Sequence, residues 1–225
     1  MTVPARPLRA VAFDLDGTLT DSAPGICATV AAVLDELGYP APDGDEVRAM
    51  IGLPLAAILA RWMPGADEAA LADCLARYRR RYDETVIPRT TLFPGVRPLL
   101  RACRSAGLEL ALVTAKFTPV AEAVLAHCRV RELFSSVVGG EQVDRPKPCP
   151  DLLQVALDEL AVEPAAVLVV GDGDHDIAMG RAAGARTCGV TWGVHSAERL
   201  RAAGAELLID SPAELRARLL PAPRP

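Results

Sequence analysis

Short apolar runs rich in β-branched side chains recur along the chain, at 10–13, 108–113, 136–138, 166–170, 186–190 and 207–209. Their pattern predicts strands buried on both faces, as in a parallel sheet. Amphipathic stretches with helix punctuation lie between them: 94–106 closed by Gly107, 118–127 opened by Thr118-Pro119, and 176–183 closed by Gly184. A last helix is expected over 211–220, starting at Ser211-Pro212-Ala213-Glu214, a capping box with proline at its first position. Pro221 to Pro225 then reads as a frayed tail. Strand and helix alternate, which predicts an α/β fold with a doubly wound parallel sheet of Rossmann type.

Residues 23–88 break the alternation and carry helical signals alone, over 24–37 closed by Gly38, 46–51, 55–62 and 68–83. The expected organisation is therefore a core of 1–22 and 89–225 with a small helical cap domain, 23–88, inserted after the first strand.

Composition narrows the class of partner. Hydrophobic residues make up 51% of the 225, yet no apolar run nears the roughly 18 residues of a membrane span. Met1 to Pro7 carry no apolar signal core, so a cytoplasmic location is expected. The six cysteines are scattered without close pairs, which argues for reduced thiols and against Cys-ligated zinc. A net charge of −5 and a pI near 5.3 give no footprint for nucleic acid or anionic lipid, leaving a small molecule as the expected partner of a monomer or homodimer. Of 24 basic residues only Lys116 and Lys147 are lysine. A lysine kept where arginine is otherwise used suggests a need for a compact ammonium.

Candidate chemistry sits at strand ends. The first strand runs into Asp14-Leu15-Asp16-Gly17-Thr18, two carboxylates two residues apart at the carboxyl edge of the sheet, where open α/β sheets bind ligands. The fourth ends in Gly171-Asp172-Gly173-Asp174-His175-Asp176, the second in Thr114-Ala115-Lys116, and Lys147 lies in the loop before the fourth. Taken singly, Thr114 reads as a cap and Lys147 as a surface charge, whereas the acidic loop, though its two glycines also suit a common turn, favours a functional reading.

Together, DxDGT, Thr, Lys and GDxxxD in this order resemble the four motifs of the haloacid dehalogenase superfamily, across nearly the whole chain. Asp21-Ser22, the stretch Ile51-Gly52-Leu53-Pro54-Leu55 and Thr191-Trp192-Gly193 are similar to its phosphoglycolate phosphatase branch. Two positions depart from that branch: Ala115 where Asn is usual, and Gly173 where Ser is frequent.

The resemblance implies a phosphatase acting on a small-molecule phosphate monoester, with Asp14 as nucleophile and Asp16 as general acid and base. It also implies Mg²⁺ held by Asp14, Asp172 and the Asp16 carbonyl. Lys147, Thr114 and the Ala115 backbone would bind the phosphoryl oxygens, and Asp176 would orient Lys147 or a metal-bound water. Asp174, His175 and His195 receive no firm role. Arg48, four residues before Gly52, is expected to share the cap edge with Gly52 and Leu53 and to select an acidic substrate. The rival readings are a phosphoryl transferase or mutase on the same fold, a dehalogenase proper, and a binding protein without catalysis.

Overall fold

The computed structural model describes residues 7–220. The N-terminal segment to Arg6 and the expected tail from Pro221 lie outside the described residues. Six strands, β1 (Ala10–Phe13), β2 (Glu109–Val113), β3 (Ser136–Val138), β4 (Val167–Gly171), β5 (Arg186–Val190) and β6 (Leu207–Ile209), form one all-parallel sheet in the order β3-β2-β1-β4-β5-β6. The expected strands stand within one residue of these.

The buried strand residues divide by the period-2 rule between two faces. Val11, Phe13, Leu110, Leu112, Leu168 and Val170 join one apolar cluster, and Ala10, Ala12, Ala111, Val113, Val167 and Val169 the other. Helices α5 (Val96–Ser105), α6 (Thr118–His127) and α10 (Pro212–Leu219) cover the first face through Leu99, Leu125 and Leu215. Helices α7 (Asp151–Leu160) and α8 (Asp174–Ala182) cover the second through Leu152, Leu153 and Met179, and a short α9 (Ala197–Ala202) precedes β6.

Between β1 and α5 the chain forms helices α1 (Ala23–Glu36), α2 (Gly44–Arg48), α3 (Leu55–Ala60) and α4 (Glu68–Arg81). Their buried residues, among them Val30, Val33, Leu34, Leu59 and Cys74, belong to the same apolar cluster as the first sheet face. Fully burying each such aliphatic side chain contributes roughly 1.5–3 kcal/mol.

Several helix ends differ from expectation. Helix α8 begins two residues early because the Asp176 carboxylate accepts the Gly173 N–H, 3.0 Å away, and fixes the first turn there. Helix α2 ends at Arg48 rather than 51, and α4 widens after Arg81 into a π-turn over Tyr82–Val86. At α10 the Ser211 hydroxyl accepts from Glu214 N as a cap should, while Glu214 reaches back to Asp210 N instead of completing the box.

The consequence for function lies in the strand order. The chain winds from β1 outward to β3, then returns to place β4 on the other side of β1. The loops after β1 and β4 therefore part at the crevice where ligands bind in such sheets.

Candidate active site

Asp14 follows β1 and Asp172 follows β4, so the parallel register that pairs Phe13 with Val170 also brings these carboxylates together. Asp176 joins them from the first turn of α8, and oxygens of all three lie within 4.8 Å of one another. Lys147 reaches into this cluster with Nζ 2.7 Å from Asp14 and 2.6 Å from Asp176. Asp172 is held by the Thr18 hydroxyl, which donates at 3.0 Å, and by the Val194 N–H at 2.7 Å. Trp192 in turn donates from Nε1 to the Thr18 carbonyl. All four charged groups are buried.

Three carboxylates share one ammonium here, and the electrostatics follow from that excess. Burial, with the neighbouring carboxylates Asp176 and Asp172, outweighs Lys147 and raises the Asp14 pKa to about 7. Burial and Asp176 raise Asp172 to about 6 against the hydrogen bonds it accepts. Burial also disfavours the charges of Lys147 and Asp176, but Asp14 and Asp176 hold the ammonium high, and Lys147 with His175 holds the Asp176 carboxyl low.

Asp16 faces away from the cluster, as expected. Its carboxylate accepts from the Ser22 hydroxyl at 2.5 Å and pairs with Lys116 at 3.1 Å. Burial disfavours the Lys116 charge, yet Asp16 and the tyrosines beside it hold its pKa well above the ordinary value. Its ammonium also lies 4.3 Å from the ring centroid of Tyr82. Lys116, Ser22 and Thr18 received no role from the sequence, although the scarcity of lysine pointed to Lys116 as strongly as to Lys147.

Thr114 is buried at the end of β2, its hydroxyl accepting from Lys116 N at 3.2 Å. Thr114, Ala115, Gly52 and Leu53 line a cavity of about 310 Å³ that opens from Asp14 and Asp16 toward α1, α3 and α4. Arg48 does not join them. It lies in a separate shallow groove with Val194, His195 and Arg199. The reason is the early end of α2: the four residues from Arg48 to Gly52 are not one helical turn, so spacing does not bring them to one edge.

His175 and His195 occupy the seam between the inserted helices and the sheet. His195 Nδ1 accepts from Asp174 N at 3.1 Å while its Nε2 faces the Ala49 carbonyl at 3.5 Å. Asp174 also pairs with Arg199 at 2.7 Å. The His175 ring fits between Gly52 and Gly173, where a Cβ on either would stand 2.1 Å from it. Glycine at 173, one of the two departures from the branch, thus leaves room for this imidazole.

Residues 11–190 match the haloacid dehalogenase-like hydrolase family. The chain belongs to that family. It is 36% identical to a Dickeya dadantii protein named probable phosphatase IndB, over 91% of this chain and 90% of that one. It is 34% identical to phosphoglycolate phosphatase of Salmonella typhimurium, over 91% and 89%. The solved structure of a haloacid dehalogenase-like family hydrolase from Streptococcus pneumoniae superposes with a TM-score of 0.81 at 27% identity, over 94% of this chain and 98% of that one. With such relatives this haloacid dehalogenase-like hydrolase is a phosphatase, similar to the phosphoglycolate phosphatases.

Proposed function

We propose that the protein is a Mg²⁺-dependent phosphatase that hydrolyses a small-molecule phosphate monoester through an aspartyl phosphate at Asp14. The observation that carries this reading is the buried cluster of Asp14, Asp172 and Asp176 around one ammonium, two negative charges in excess. An all-oxygen donor set with that excess fits a hard divalent cation, held by Asp14 and Asp172 with the Asp16 carbonyl. When bound, the cation neutralises the repulsion between carboxylate and phosphate and polarises the phosphoryl oxygen.

The residues then divide the work. Asp14 attacks phosphorus, and the leaving oxygen takes its proton from Asp16, which lies on the cavity side of the pair and is held by Ser22 and Lys116. Asp16 next removes a proton from the water that cleaves the acyl phosphate. Lys147 turns from Asp14 toward the transferred phosphoryl oxygens while Asp176 keeps its ammonium in place. Thr114 and the Ala115 N–H bind the remaining oxygens at the end of β2. That N–H has no acceptor among the described residues, so the side-chain change at 115 preserves the donor.

The inserted helices, residues 23–88, act as the cap domain on a core of 1–22 and 89–225, closing the cavity against water. Six cysteines, all free thiols, fit a cytoplasmic enzyme. A mutase reading has no specific support: of the cations lining the cavity among the described residues, Lys116 is committed to Asp16 and Arg79 lies over the Phe117 ring.

The test is chemical. Beryllofluoride with Mg²⁺ should form a stable adduct at Asp14, and Asp14→Asn should abolish both adduct and phosphate release. Retention of more than a few per cent of wild-type turnover in that variant, without deamidation, would remove Asp14 as the nucleophile.

A further inference from the structure

The cavity wall beyond the carboxylates is apolar. Ile26, Ile58 and Leu75 from the inserted helices, Leu53 from the loop before α3, and Val120 from α6 line it. Tyr78 and Tyr82, stacked with ring centroids 5.7 Å apart, form one side. Its lining cations, Lys116 and Arg79, do not outnumber its lining carboxylates, Asp14, Asp16 and Asp83. Lys116 is committed to Asp16. Arg79, over the Phe117 ring at 4.2 Å, and Asp83 stand four positions apart on the same rim. No net positive charge is left over for a second anion on the substrate.

Size points the same way. At about 310 Å³ the cavity has room for roughly ten waters at the ~30 Å³ each takes up in the liquid. The two-carbon acid of phosphoglycolate would leave most of it unfilled, and its carboxylate would be desolvated against aliphatic walls without a partner. Phe117, the one large hydrophobic residue strongly exposed among the described residues, would be covered by a bulky group at the rim.

We propose that this phosphatase selects monoesters with an uncharged, apolar leaving group of about ring size, and discriminates against phosphoglycolate. The inference rests on the phosphatase reading above and deepens it. The leaving group fills the space between Leu75 and Leu53, with Arg79 lying over Phe117 at its outer end.

The experiment measures kcat/KM for n-alkyl phosphates from ethyl to hexyl, for cyclohexylmethyl phosphate and for phosphoglycolate. The alkyl series holds the leaving-group chemistry nearly constant, so its slope reports burial. The slope should be roughly three- to fourfold per methylene until the cavity fills, with phosphoglycolate no better than the ethyl ester. Leu75→Asn should reduce the hexyl-to-ethyl ratio at least about threefold, a ratio unaffected by the fraction of active enzyme. A flat series, a preference for phosphoglycolate, or an unchanged ratio in Leu75→Asn would each overturn the inference. Acetyl phosphate, whose leaving group is too small to use the cavity, checks the chemistry itself. If neither it nor any ester released phosphate, the phosphatase reading would fall and this inference with it.

Discussion

The ammonium of Lys147 lies 2.7 Å from the Asp14 carboxylate, across 133 positions of sequence, with both side chains almost wholly enclosed. A buried contact this short suits a slender stem ending in a point charge. The planar arginine fork is larger and directs its donors differently. Lys147→Arg should therefore lose activity nearly as far as Lys147→Ala, by about 10²–10³ in kcat, the usual cost of one missing oxyanion donor. Full activity in the arginine variant would remove Lys147 from the phosphate site.

The pair of Lys116 and Asp16 makes a separate claim. Lys116→Met keeps the stem beside Tyr82 and removes the charge that holds Asp16 in place. Loss of a properly placed acid and base costs roughly 10²–10⁴ in rate, and misplacing it should cost about tenfold or more. Mg²⁺ affinity measured by calorimetry should stay near wild type, because Lys116 touches none of the three clustered carboxylates. Equal loss of metal binding and turnover would show that Lys116 supports the whole site instead.

Gly52 combines a φ of +98° with a Cβ position 2.1 Å from His175 Nε2. Gly52→Ala should displace the loop that carries Leu53 into the cavity and lower kcat/KM by about tenfold, since small misplacements near the chemistry are costly. Removing the ring should relieve the clash. The double variant Gly52→Ala, His175→Ala should recover part of the loss, and strict additivity of the two changes would show that no such contact exists.

How much of this could be read from the sequence follows from what is local. Strands such as 10–13 and 186–190 were legible because burial on both faces writes itself into consecutive residues. Asp14 and Asp172 were legible because each directly follows a strand of the parallel sheet. The ends of α2 and α4 were not, because tertiary contacts set them: Tyr82 packs on Tyr78 and against Lys116, and the α4 helix gives way to a π-turn there. For the same reason Lys116 could be noticed as unusual but not paired with Asp16, 100 positions earlier. Arg48 was misplaced by treating a four-residue spacing as helical where the helix had already ended.

That correction gives its own expectation. Arg48 is exposed and outside the cavity, so Arg48→Ala should leave kcat/KM within about twofold on phosphoglycolate and on a neutral alkyl phosphate alike, as surface changes usually do. A selective loss of tenfold or more on the acidic ester would return Arg48 to substrate recognition.

The clustered carboxylates make stability depend on pH and Mg²⁺ together. Asp14 and Asp172 are raised from the ordinary carboxylate value of 3.8 to about 7 and about 6, chiefly by burial. Between 3.8 and about 7 the folded protein therefore binds more protons at these groups than the unfolded chain does, and their contribution to stability falls as pH rises through that window. Asp176 has the opposite sign. Its lowered pKa adds stability above 3.8 that is lost only as pH falls further, so it does not act in the same window. Mg²⁺ would replace the protons on Asp14 and Asp172, so it should stabilise most where those protons have left. At a hundredfold excess over Kd the gain is about 2.7 kcal/mol, or roughly 5–10 °C in Tm for a chain of this length. Calorimetry at about pH 8 should show that gain, and at about pH 5.5, where the protons compete, less than half of it. Asp14→Asn, which cannot titrate, should show a smaller gain that varies less with pH. An equal Mg²⁺ increment at both pH values in the wild type would mean that the cation does not bind at these two carboxylates.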